Sequence, residues 1–267
     1  MKTVLSIAGT DPSGGAGIHA DLKVFSAHRV YGMAAVTAVV AQNTCGVYAV
    51  ERVSSSMLEA QLEAVFGDIF PDAVKIGMLP DADAIGVVAR SLRKHKPRFV
   101  VIDPVMLSSS GHALLDSGME GLLREAIFPL ATLITPNIPE AEIFCGFSID
   151  SKERMALAAR ELALAPAAAV LVKGGHFPGA AEGAAAGSGT LTCDDFLLEG
   201  GTDRWFTGPR LATKNTHGTG CALSSAIAAN LALGYPVGEA VERAKRYLCE
   251  ALSRGLSLGR GKGPIDL

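Results

Sequence analysis

The stretch TVLSIAGTDPSGGAGIHADLKVFSAHR, residues 3–29, carries three signals in order. Residues 3–8 are a compact apolar run closed by Gly9, the pattern of a strand buried on both faces. A glycine-rich turn follows. Beyond it Ile18, Leu22 and Phe25 recur at helical spacing, with polar residues between them. A buried strand feeding a helix through a glycine turn is the repeating unit of an α/β sheet.

Working outward, the same unit recurs. MAAVTAVVAQ (33–42) reads as a second buried strand ending near Gln42. DAVKIGM, RFVVIDPV, ATLITPN and AAAVLVKGG are each short, rich in Val, Ile or Leu, and closed by Gly, Pro or Asn. Between them lie the helical segments SMLEAQLEAVFGDI, DADAIGVVARSLRKH and SKERMALAARELAL. This alternation predicts an α/β fold, a largely parallel sheet wrapped by helices. The Gly/Ala-rich part of 178–202 reads as a surface loop and GTLTCDDFLLEG as a hairpin. Two helices close the chain, at about 219–233 and 236–256, the second with Val237, Val241, Ala244, Tyr247 and Leu248 on one face.

No repeat and no linker divides the 267 residues, so one domain spanning 1–267 is expected. Hydrophobic residues make up 49% and charged residues 19%, enough apolar material for a substantial core. A net charge of −3 gives no reason to expect nucleic acid or an acidic membrane as partner. No run approaches the roughly 18 apolar residues of a membrane span, and the start turns polar too soon for a signal peptide. The five cysteines are scattered and never form CxxC, which argues against zinc and disulfide frameworks and for a reducing cytoplasm.

Open parallel sheets bind ligands beyond the carboxyl ends of their strands. GTDPSGGAG, AQNT, GMLP, DPVM, TPNIPE and KGGH all fall there. The glycine loop fits neither common phosphate motif. Gly9 and Gly14 have P-loop spacing, but Gly15 and Ala16 replace the required Lys and Ser or Thr. Gly15, Gly17 and Ala20 fit the dinucleotide fingerprint, yet the second strand ends in Ala41-Gln42 rather than an acid. What remains is a loop whose backbone N–H groups near Gly14 and Gly15 approach a small substrate, with Asp11 and Asp21 offering hydrogen bonds; by spacing alone Asp21 reads equally as an exposed helix residue.

Gln42 both donates and accepts, which suits the edge of a nitrogen heterocycle; the alternative is an amide satisfying backbone groups. Met78 offers a flat, polarizable wall, or simply core. Asp103 and Glu140 are magnesium-ligand candidates, directly or through water, for a nucleotide; they read equally as a strand-end turn residue and a first-turn helix acid. Lys173, before Gly174-Gly175, is placed to stabilise a transferring phosphoryl group, if it is not merely solvated. TKNTHGTGC (213–221) reads as a phosphate seat opening a helix, with Cys221 at its mouth. A helix N-terminus can lower a thiol's pKa substantially. His176 and His217 are left outside the candidate site, since a lone histidine is more often structural.

AGTDPSGGAGIHADLKVF, TAVVAQNTCGV, KIGML, DPVM, TPNIPEAE, LVKGGH and TKNTHGTGC stand in an order and spacing that closely resemble the bacterial hydroxymethylpyrimidine/phosphomethylpyrimidine kinases of the ribokinase-like superfamily. The resemblance covers nearly the whole chain. It implies a three-layer α/β/α sandwich with a mostly parallel central sheet, and commonly a cytoplasmic homodimer. It also implies ATP- and Mg2+-dependent phosphorylation of 4-amino-5-hydroxymethyl-2-methylpyrimidine, then of its monophosphate, in thiamine biosynthesis or salvage. Matching motifs place Asp21, Gln42 and the Gly9 backbone at the pyrimidine, with Met78 packed on it. Lys173 and Thr216 go to nucleotide or phosphate, and Asp103 and Glu140 to the magnesium–nucleotide region. Gly218, Thr219 and Gly220 become an anion hole, and Cys221 the catalytic base. Three departures stand out: His19 replaces a usual Gln, MLSSSGH lacks a lysine often found after DPVM, and 179–189 looks longer than usual. Pyridoxal or pyridoxine kinase activity is the alternative within kinases, and a non-catalytic pyrimidine or nucleotide sensor the alternative outside them.

Overall fold

The structure is a computed structural model describing residues 1–108, 111–163, 168–176 and 192–267. Its framework is an eight-stranded sheet among the described residues. The strands are β1 (Thr3–Ala8), β2 (Tyr31–Val36), β5 (Ala73–Ile76), β6 (Val100–Ile102), β7 (Leu133–Ile134), β8 (Ala169–Val172), β9 (Thr192–Glu199) and β10 (Thr202–Pro209), in the order β10-β9-β8-β7-β6-β5-β1-β2. All pairings from β2 to β8 are parallel; β9 and β10 add an antiparallel edge.

Period-two burial sends alternate strand residues to two cores. Leu5, Ile7, Val74, Ile76, Val100 and Ile102 face one layer, formed by α2 (Ser55–Asp68), α3 (Ala82–His95), α4 (Glu120–Ala126), α5 (Ile138–Cys145) and α6 (Lys152–Leu162). Val4, Ala73, Val101, Leu133 and Leu171 face the other, formed by α1 (Gly17–Ala27), α7 (Thr219–Ala232) and α8 (Val237–Arg254). The expected three-layer sandwich is present. Both closing helices fall close to their expected bounds. Among the described residues no helix is long and apolar enough to cross a membrane.

Two expectations need correction. The apolar run 33–42 is not one strand. It breaks at Thr37, which is fully buried, donates its N–H to Ala8 O at 3.0 Å and its hydroxyl to Met78 O at 2.7 Å. After this bend β3 (Ala38–Asn43) leaves the sheet and pairs antiparallel with β4 (Gly46–Arg52) as a separate ribbon. Periodicity could not show the break, because the outward residues Val39 and Ala41 are as apolar as the inward Ala38 and Val40. Nor is GTLTCDDFLLEG a whole hairpin: it supplies only β9, whose partner β10 comes from the more polar 202–209. The Gly/Ala-rich 179–189 lies outside the described residues.

The sheet order reverses beside β1, which lies between β2 and β5. Such a switch point parts the loops that leave neighbouring strands and opens a crevice at their carboxyl ends.

Candidate active site

The glycine loop after β1 is filled by its own aspartate. Asp11, fully buried, accepts from Ser13 N and Oγ at 2.9 and 2.7 Å, Gly15 N at 3.0 Å and Ala16 N at 2.7 Å. His217 Nε2 sits 2.7 Å from Asp11 Oδ2. Burial alone would raise this carboxyl; the His217 and Ser13 bonds outweigh it and hold it at about 2. The expectation that backbone N–H groups at Gly14 and Gly15 meet a substrate is therefore corrected. The Gly15 donor is spent on Asp11, and Gly14 N donates to Asp11 O at 2.9 Å. His217, left out of the candidate set, is the residue that locks this loop to the segment before α7.

One side of the crevice is apolar. Ala38, Val40 and Met78 form a small apolar cluster. A Cβ on Gly9 would stand 2.9 Å from Met78 Sδ, so the bare backbone there is what admits the thioether. Gln42 is half-buried on the same face of β3 as Ala38 and Val40, and its Nε2 donates to Thr10 O at 3.3 Å, which orients the amide.

Asp21 does not join them. It is fully buried on α1, and its carboxylate is taken up by Lys75 Nζ at 3.0 and 2.9 Å, Ser6 Oγ at 2.5 Å and Ser225 Oγ at 2.7 Å. A carboxylate with no accessible surface and four such contacts is tied to Lys75 and to two serines. Burial would lower the Lys75 ammonium; Asp21 foremost, with Cys221 and Asp103, more than reverses this, so the lysine stays charged. Sequence reading passed over Lys75, although a lysine inside the apolar strand AVKI was a visible signal.

The other side brings a lysine to a helix N-terminus. Gly218 holds the left-handed φ of 80° as N-cap of α7 and offers no side-chain cap; Thr219 N donates to Thr216 O at 3.5 Å, which leaves the first-turn N–H groups of Gly220 and Cys221 without a side-chain acceptor from the cap. Lys173, at the end of β8, is ion-paired to Asp103 Oδ1 at 2.6 Å. A Cβ on Gly220 would lie 3.3 Å from Lys173 Nζ and 3.4 Å from Asp103 Oδ2, so the ammonium stands directly over the helix mouth. Thr216 is exposed beside it, and its carbonyl accepts from Thr219 Oγ1 at 3.2 Å.

Cys221 departs from expectation in its chemistry. Burial pushes its thiol up to about 11; Lys75 and the Gly17 N–H pull it down, but Asp21 and Asp103 oppose them.

Asp103 and Glu140 are both nearly buried. Glu140 closes a capping box with Asn137, its Oε2 accepting from Asn137 N at 2.8 Å. Burial foremost, with the charge of Asp103, drives its carboxyl to about 7 against the pull of Lys173. Among the described residues no three His, Cys, Asp or Glu side chains gather to hold a metal unaided. Two hard carboxylates, one of them raised by the other's charge, suit a magnesium ion that takes its remaining ligands from water and phosphate.

A profile of the phosphomethylpyrimidine kinase family matches residues 11–266. The chain is 46% identical over 264 residues to a thiamine biosynthesis bifunctional protein of Geobacter sulfurreducens, covering 99% of this chain and 52% of that one. This chain thus spans about half of that relative. It is also 46% identical to the hydroxymethylpyrimidine/phosphomethylpyrimidine kinase of Rhizobium meliloti, covering 98% of this chain and 95% of the relative. Among solved structures, phosphomethylpyrimidine kinase from Clostridium difficile superimposes with a TM-score of 0.79 at 42% identity, over 94% of this chain and 99% of the other. The ADP complex of Bacillus subtilis pyridoxal kinase gives 0.87 at 35% identity, over 100% and 97%.

Proposed function

This chain belongs to the phosphomethylpyrimidine kinase family, and from that premise we propose that it moves the γ-phosphoryl group of ATP onto 4-amino-5-hydroxymethyl-2-methylpyrimidine. It then phosphorylates the resulting monophosphate to the diphosphate, in thiamine biosynthesis or salvage. The observation that carries this reading is the pairing of Lys173 Nζ with the uncapped mouth of α7, at whose first turn Cys221 stands.

In this reading the pyrimidine lies against Met78 with its polar edge toward Gln42. The first-turn N–H groups of α7 and the Lys173 ammonium face the transferring group and stabilise its charge without reorganising. Asp103 and Glu140 would hold a magnesium ion, which would supply neutralisation of phosphate charge. In its thiolate form Cys221 accepts the alcohol proton and becomes the thiol as the phosphoryl group moves. The second transfer starts from a phosphate already ionised at neutral pH and needs little help from Cys221. The protein works as a cytoplasmic homodimer; Val39 and Tyr48, 55% and 68% exposed on the ribbon, favour a covering copy.

The overlap with pyridoxal kinase favours a second reading, phosphorylation of a vitamin B6 alcohol, which carries the same hydroxymethyl group on a flat nitrogen ring. Parallel ATP-consumption assays with the pyrimidine alcohol, its monophosphate and pyridoxal decide between them. The primary reading requires the two pyrimidines to have the higher kcat/KM; a pyridoxal value above both replaces it with the second.

A further inference from the structure

Gln42 stands on a ribbon outside the main sheet, and an isolated two-stranded ribbon is marginal in water. Something must hold it at the crevice. Its root is tied to the glycine loop: Thr10 N donates to Ala38 O at 3.0 Å, and Thr10 Oγ1 accepts from Val40 N at 2.9 Å. Its tip is tied to the end of the chain. Lys262 N donates to Thr44 O at 2.9 Å, and Gly261 N to Thr44 Oγ1 at 3.2 Å. The same segment then reaches the loop ahead of α7. Gly263 O accepts from His217 N at 3.0 Å, and Pro264 forms a parallel bridge with His217. Asn215 Nδ2 donates to Leu256 O at 2.6 Å, and Ile265, 3% exposed, is seated in the core beneath α1, α7 and α8.

The glycines of LGRGKGP give these contacts their specificity. A Cβ on Gly261 would overlap the Thr44 carbonyl, and one on Gly263 would overlap the Asn215 amide. Neither position has a left-handed φ, so what these glycines supply is close approach, not turn geometry. One backbone segment is thereby hydrogen-bonded to the ribbon that reads the ring and to the loop that opens the anion site.

We propose that residues 256–265 are a positioning strap that sets the spacing between Gln42 and the mouth of α7, and so governs pyrimidine affinity rather than the rate of phosphoryl transfer. This rests on the pyrimidine-kinase reading of the site. Gly261→Ala lifts the strap from Thr44 while Ile265 stays anchored. It is expected to raise KM for the pyrimidine alcohol about tenfold with kcat within about twofold, the signature of lost uniform binding. Amide exchange over the ribbon, residues 38–52, should quicken about tenfold while α7 is unchanged. Thr44→Val, which removes only the side-chain acceptor and carries the same comparison if Gly261→Ala does not fold, should shift both readouts the same way by less; Thr44→Ser should keep wild-type values. Unchanged KM and exchange in Gly261→Ala, or a fall in kcat at constant KM, overturns the strap. Faster ribbon exchange without a KM change also overturns it, because the tether then does not reach the substrate. If the wild-type protein turns over no pyrimidine, the site reading fails instead, and the exchange comparison still decides whether the strap holds the ribbon.

Discussion

Two titrating side chains make the account sharp at the scale of the residue. Cys221 is held as a thiol up to about 11. If its thiolate is the base, first-step kcat should climb about tenfold per pH unit through the neutral range, because the deprotonated fraction does. Cys221→Ala should lower that step by about 10²–10⁴-fold and flatten its pH dependence, with the second step less affected. A variant with near-normal first-step turnover removes Cys221 from the chemistry. Asp11, held at about 2, tests the glycine loop. Its folded-state pKa lies below the unfolded value of about 3.9, so the folded protein binds fewer protons between these limits. The associated stability, about 2 kcal/mol, is complete above pH 4 and fades as pH falls through about 2. Urea titrations should therefore show a shallower acid slope in Asp11→Asn than in wild type; equal slopes would mean the His217 contact does not hold the charge.

At the scale of elements, β1, β5, α1 and α7 meet at one enclosed group of charges. Ser6, Lys75, Asp21 and Ser225 each come from a different one of the four, and all are fully buried. Removing one partner strands the other charge away from water, so Lys75→Met should cost about 3–5 kcal/mol in urea unfolding. Adding Asp21→Asn should recover part of that loss, and a single variant costing under about 1 kcal/mol would show the pair to be hydrated. These same elements divide what a reader of the sequence can and cannot see. Strands such as AVLV and AVKI announce themselves because every residue is apolar or nearly so. The bend at Thr37 does not, since burial of its hydroxyl and N–H against Ala8 and Met78 is a tertiary event. The surroundings of Asp21 were hidden for the same reason: its helical spacing is plain, but its partners lie 15, 54 and 204 residues away.

Over the whole molecule, strand order and strand ends converge. Gly9, Met78, Asp103 and Lys173 follow four strands that all point one way, so their common rim could be read from the alternation of runs and turns. Cys221 joined them through the glycines before a helical run. What could not be read was which rim groups stay open. Asp11 is taken up by its own loop and by His217, and Asp21 by distant partners, whereas Lys173, paired to Asp103, stands over the α7 mouth. The proposed function places two successive transfers in this one site. Time-resolved 31P NMR of wild-type protein with ATP and the pyrimidine alcohol tests this most directly. The account predicts a monophosphate that rises and then gives way to the diphosphate as ADP accumulates; a reaction that stops at the monophosphate, or ADP formed with no phosphorylated pyrimidine, would contradict it.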